Sequence, residues 1–158
     1  MQESGGNMKV GIIVFSQTGN TMSVAQKLEE AMNKAGHAAT ILRVEALNET
    51  APYQLKSAPE VALFDTIVFA SPVQAFSLAP VMKLYLSQIS SLTDKKVYCF
   101  VTQHLKKAWL GGNHALRQIA QACKLKDAEV AGSGVVNWSS ELREKQIDEI
   151  VNKIMSSM

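Results

Sequence analysis

The sequence predicts an α/β domain whose parallel sheet is covered by helices on both faces. Two segments, "KVGIIVFS" (9–16) and "TIVFAS" (66–71), are short and nearly continuously apolar, as strands buried on both faces must be. Strand patterns alternate with helical ones along the chain, the signature of parallel strands joined by crossover helices. The length of 158 residues, with 47% hydrophobic and 19% charged side chains, suits one sizeable core and is short for two.

Taken in order, residues 1–7 are polar and Gly-rich and read as a floppy tail or expression remnant, leaving 8–158 as the domain. After the first strand and a polar break, Val24, Ala25, Leu28, Ala31 and Met32 recur at helical spacing, and Gly36 supplies a stop. "AATILRV", "TIVFAS", "KVYCFVT" and the glycine-interrupted "EVAGSGVVNW" follow as strands. Helical patterns run from about Ser77 to Gln88, Asn113 to Cys123 and Glu141 to Met155. Between Val44 and Asp65, where Pro52 and Pro59 interrupt, only a short helix near "PEVALF" is expected. Trp138 reads as packing and Ser140 as a helix cap.

The apolar runs are too short to span a bilayer and the start lacks a basic region followed by an apolar core, so a cytoplasmic protein is expected. Cys99 and Cys123 sit in apolar patterns and read as buried hydrophobes, with no metal cluster proposed. Positive charge is concentrated: residues 94–127 hold seven Lys or Arg against two Asp, a local +5 within a net +2. Such a segment is either a solvated face or an attractor for an anionic partner or substrate.

In a sheet of this kind ligands collect beyond the carboxyl ends of the strands. The loop "SQTGNT" (16–21) is exceptional there. Ser16, Thr18 and Thr21 offer hydroxyls, Asn20 an amide, and Gly19 a close backbone approach. A helix cap needs one such residue; four in six positions, at the positive end of a helix, make a mould for a phosphate without any Lys or Arg. Neither Gly-Lys-Ser/Thr nor G-x-G-x-x-G is present, so a terminal monophosphate is the better ligand.

With Thr21, Ala25 and Leu28 at Thr-x-x-x-Ala-x-x-Leu spacing, the loop including Gln17 resembles the FMN phosphate loop of the flavodoxin family. "FDTIVFASPVQAFSLAPVM" resembles the family's loop bordering the isoalloxazine ring, with Ser71, Pro72, Val73, Gln74, Ala75 and Phe76. "FVTQHLKKAWLGGNHALRQ" resembles its last flavin-contacting loop, with Thr102, Gln103, His104, Trp109, Gly111 and Gly112. The chain departs from the family at Val14, where an aromatic is usual, at Phe15, where a small residue is, and at Gln74, where an aromatic is common.

The resemblance implies a flavodoxin-like α/β sandwich with sheet order 2-1-3-4-5 and noncovalently bound FMN. It points to Phe76 and Trp109 as the aromatic candidates for the ring, Phe76 being equally a core anchor. His104 is a group that stabilises a reduced, anionic flavin, one that passes a proton to a substrate, or a surface histidine. The first function implied is electron carriage between redox partner proteins, with no catalytic residue and no metal. The second is an FMN-dependent oxidoreductase passing electrons from NAD(P)H to a quinone or other small-molecule electron acceptor. Carriage is the first choice, while two features lean toward the second: the chain is not strongly acidic as the family's carriers are, and the His104, Lys106 and Lys107 cluster suits an anionic substrate. The third is an interaction module that has lost its flavin. A monomer or homodimer is expected, without nucleic-acid or membrane partners.

Overall fold

The computed structural model describes residues 7–104 and 110–158. The alternation is realised as β1 (Lys9–Val14), α1 (Asn20–Lys34), β2 (Ala38–Arg43), β3 (Glu45–Ala46), β4 (Leu55–Ser57), β5 (Thr66–Gln74), β6 (Ser77–Leu78), α2 (Pro80–Gln88), β7 (Lys96–Gln103), α3 (Gly112–Lys124), β8 (Val130–Asn137) and α4 (Arg143–Ser157). Five strands pair in parallel in the order β2-β1-β5-β7-β8, which is the expected 2-1-3-4-5 arrangement. The glycine interruption of the last strand appears as a register shift, Val97 facing Val130 and Tyr98 facing Gly132.

Because successive strand residues point to opposite faces, the same apolar runs build two cores. Ile13, Ile67, Phe69, Val97, Cys99 and Val101 pack on one side with Met82 and Tyr85 of α2 and Ile119 and Cys123 of α3. Val10, Ile12, Val14, Val68, Tyr98 and Phe100 pack on the other with Leu28 and Met32 of α1 and Ile147 and Ile150 of α4. Each such side chain contributes on the order of 1.5–3 kcal/mol when fully buried. The α1 stop works as read: Gly36 adopts φ 94°, and the Gly36 and His37 N–H groups return to the Asn33 and Met32 carbonyls. His37, given no role by the sequence, accepts the Met8 N–H at its Nδ1 at the entrance to β1. Trp138 packs against the α1/α4 core with the Arg143 guanidinium 4.7 Å from its ring centre, and Ser140 Oγ accepts the Leu142 N–H just before α4.

The borders of the sheet are closed by side chains. On β2, Asn33 accepts the Ala39 N–H and donates to the Ala39 carbonyl, while a Glu29 carboxylate oxygen accepts the Ile41 N–H. On β8, Lys153 donates to the Ser133 carbonyl and Gln146 accepts the Asn137 N–H. Such devices stop a strand edge from templating another chain. Asn33→Ala with Glu29→Ala is therefore expected to shift the protein toward larger species in size-exclusion chromatography with light scattering; an unchanged elution profile would refute this role.

Three expectations need correction. No helix forms at "PEVALF": the segment is a turn closed by the Phe64 N–H on the Val61 carbonyl. The Tyr85 phenol takes the Pro59 carbonyl that a helix would give to the Leu63 N–H, and the Lys95 ammonium holds the Ala62 and Phe64 carbonyls of the turn. The helix expected from Ser77 begins only at Pro80, because Ser77 and Leu78 turn back to pair antiparallel with β5. The antiparallel β3–β4 ribbon was not expected from the sequence at all.

Candidate functional site

The carboxyl ends of β1, β5 and β7 bring residues 16–21, 71–76 and 102–104 to one pole, and side-chain hydrogen bonds link the three segments. Gln74 donates to Gln17 Oε1, joining the first segment to the second. Thr21 Oγ1 lies 2.7 Å from Thr102 Oγ1, and Asn20 Nδ2 lies 3.3 Å from His104 Nε2, joining the first to the third.

The first segment has a shape and a set of donors that would suit an anion. Gly19 takes φ 92°, a backbone that favours glycine, and a Cβ there would meet nothing within 4 Å, so the loop stands open above it. The backbone N–H groups of Asn20 and Thr21, at the start of α1, meet no acceptor among the described residues. Ser16 Oγ accepts from the Gly19 and Met22 N–H groups at 3.2 and 3.4 Å, long contacts that leave its own proton free. Thr18 is exposed and its side chain meets no partner among the described residues, whereas Thr21 is 1% exposed and already bonded to Thr102. The four polar positions thus divide: Ser16 and Thr18 keep a hydroxyl proton uncommitted among the described residues, Asn20 reaches His104, and Thr21 fastens α1 to β7. A phosphate carried by a larger molecule fits these donors.

A cleft of about 240 Å³ opens beside the cradle, lined by Val73, Ala75, Phe76, Gln103 and His104. Its wall is a two-residue hairpin: Gln74 pairs with Ser77, and Ala75 and Phe76 between them take φ 50° and 63°. Positive φ at both central positions is the hairpin geometry that matches strand twist, and non-glycine residues hold it at a cost of roughly 1–2 kcal/mol each. The strain lies at the cleft rim. Phe76 is 60% exposed there, which removes the core-anchor alternative for it. Ser71 is buried and Pro72 half-buried beneath this wall, Ser71 donating to the Pro72 carbonyl. On the far side Gln103 is buried, and its Oε1 accepts the Gly112 N–H at 2.9 Å where α3 begins after Gly111. Trp109, with Lys106 and Lys107, lies outside the described residues.

A second cleft, about 560 Å³, lies on the β2 side of the same loop and is lined by Ser16, Gln17, Gln74, Arg43, Tyr53 and neighbouring residues of β3. Sequence reasoning missed Arg43 and Tyr53. The available signal was Arg43 ending a strand at its carboxyl end, where ligands gather. The two thiols are set apart from all of this: both are buried, and burial pushes Cys123 up to about 12 and Cys99 higher still. Neither is a thiolate at neutral pH.

Comparison with known proteins agrees with this geometry. The sequence profile of the NADPH-dependent FMN reductase family matches residues 8–140. No curated protein sequence matches the chain. Among solved structures, oxidised flavodoxin 2 of Bacillus cereus superposes with a TM-score of 0.71 at 17% identity, covering 95% of this chain and 99% of that one. The two-electron reduced flavodoxin of Megasphaera elsdenii gives 0.66 at 23% identity, covering 91% and 98%. The Fusobacterium nucleatum flavodoxin bound to flavin mononucleotide gives 0.61 at 13% identity, covering 94% and 98%. At these identities the structures establish a shared fold. Among the described residues no helix is long and apolar enough to cross a membrane.

Proposed function

The chain belongs to the NADPH-dependent FMN reductase family, and from that premise we propose that it is an FMN-binding oxidoreductase drawing electrons from a reduced nicotinamide nucleotide. This is the second of the functions raised by the sequence. The family match over residues 8–140 carries it. The fit of the cradle to a phosphate supports FMN, since free N–H donors at the start of α1 and the exposed Thr18 hydroxyl await an anion.

When bound, FMN supplies an isoalloxazine that takes up two electrons from a donor and releases them to an acceptor. The residues of the chain divide the remaining work. Ser16, Thr18, Asn20 and the α1 N–H groups hold the phosphate, and the Thr21–Thr102 pair keeps the loop at a fixed height over the sheet. Ala75 and Phe76 form one wall for the ring, and Gln103, fixed by the Gly112 N–H, forms the floor opposite. His104 is the titratable side chain of the described cleft lining and stands at its mouth, placed to pass a proton to a reduced acceptor.

Electron carriage between proteins is the second reading. The observation favouring it is Phe76, a large apolar side chain exposed at the rim, where a partner protein would press against the ring edge. Anaerobic addition of NADPH to the FMN-loaded protein separates the two. Bleaching of the visible flavin absorption within seconds is the expected result. Flavin that stays oxidised until a separate reductase is added would replace the enzyme with the carrier.

A further inference from the structure

The second cleft shares Ser16 and Gln17 with the phosphate loop and extends from it on the β2 side, away from the ring cleft, and it is built like a binding site. Its volume of about 560 Å³ falls in the range of small-molecule sites. Phe15, Val44 and Val81 give it an apolar floor, and Phe15 and Val44 are buried beneath it. Arg43 is exposed at its edge and makes no ion pair or hydrogen bond among the described residues; the half-buried Tyr53 leaves its phenol likewise unengaged. Asn48, by contrast, is fully used, bonding to the Thr50 and Pro52 carbonyls and accepting the Gln54 N–H, so it shapes the loop that carries Tyr53.

The charges in the cleft narrow the ligand. Arg43 offers a planar fork that suits a phosphate. Glu45 and Glu49 also line the cleft, Glu45 accepting from Ser57 Oγ. Two carboxylates disfavour a bare polyphosphate. They suit a ligand with one phosphate at Arg43 and neutral hydroxyl or amino groups elsewhere, over an apolar floor with an aromatic at hand. A nucleoside with a phosphate on its ribose has that distribution.

The position narrows it again. Gln17 and Gln74 wall this cleft, while Val73 and Ala75, on either side of Gln74, line the ring cleft. A dinucleotide with its redox-active end in the ring cleft would therefore cross at the Gln17–Gln74 bridge and enter the second cleft with its other half. We propose that this cleft takes the adenosine half of NADPH and that Arg43 pairs with the 2′-phosphate, making it the residue that selects NADPH over NADH. The proposal rests on the reductase reading given above.

The test is a calorimetric titration of the FMN-loaded protein with adenosine 2′,5′-bisphosphate and, separately, adenosine 5′-monophosphate. Arg43→Gln is expected to weaken the bisphosphate roughly tenfold to a hundredfold, the loss of one charge-assisted pair, leaving the monophosphate and FMN affinities unchanged. Tyr53→Leu is expected to weaken both nucleotides alike. In turnover, Arg43→Gln should raise KM for NADPH, with kcat and the KM for NADH unaltered. A bisphosphate that fails to bind the wild-type protein, or binds the Arg43→Gln variant equally well, overturns the assignment. Arg43-dependent binding in a protein whose flavin NADPH cannot reduce keeps the cleft as a nucleotide site and removes the reductase reading.

Discussion

Replacing Thr18 and Thr21 together by alanine is expected to weaken FMN binding by about 3 kcal/mol, roughly a hundredfold, while riboflavin affinity falls far less. The Thr18 hydroxyl is assigned to the phosphate and the Thr21 hydroxyl, through Thr102, to the loop that carries it, and riboflavin has no phosphate. The two sites separate further. Thr18 is exposed, so Thr18→Ala should cost affinity without cost in stability. Thr21→Ala also leaves the buried Thr102 hydroxyl without its 2.7 Å partner, a loss of about 1–3 kcal/mol of folding stability. Thr21→Ser keeps the hydroxyl and should retain most of both. Fluorescence titration with the two flavins beside thermal unfolding reads all of these; equal losses for FMN and riboflavin would mean that the loop holds no phosphate.

Gly112→Ala should disturb the site from its other side. A Cβ at Gly112 would lie 2.7 and 2.8 Å from the two Val135 methyl groups and 3.1 Å from Gln103 Oε1. The start of α3 must then back away from the sheet, stretching the bond from the Gly112 N–H to Gln103 that fixes the cleft floor. Overpacking of this kind costs on the order of 1–3 kcal/mol, and flavin affinity should fall with it. Val135→Ala clears the methyl groups, so the double variant is expected to recover flavin binding, with a coupling term in the mutant cycle. Additive losses would show that the contact with Val135 is not the cause.

The parts of this molecule that were legible in its sequence are those coded by neighbours. Continuous apolar runs such as "KVGIIV" and "TIVFAS" announce central strands, and the polar break at 16–21 announces the loop between β1 and α1, because each signal is complete within a few residues. What escaped was assembled at a distance. The Thr21–Thr102 bond joins residues 81 apart in the chain, and nothing near Thr21 shows that its hydroxyl is shared. Arg43 and Tyr53 reach the same cleft only because the β3–β4 ribbon folds back, and a two-residue strand carries no readable period. "PEVALF" carried apolar residues at a plausible spacing, but the Tyr85 phenol, 26 residues on, takes the Pro59 carbonyl that a helix would need.

The closed sheet borders bear on how long any partner stays. Main-chain pairing along a free strand adds to the affinity of a complex, and Asn33, Glu29, Lys153 and Gln146 occupy groups on which it would rely at both edges. Visitors are left with side-chain contacts at the pole, where affinity is set by a few groups and release is fast. Under either proposed function a partner must leave before the next arrives, and the four residues at the strand edges then act as a limit on residence time.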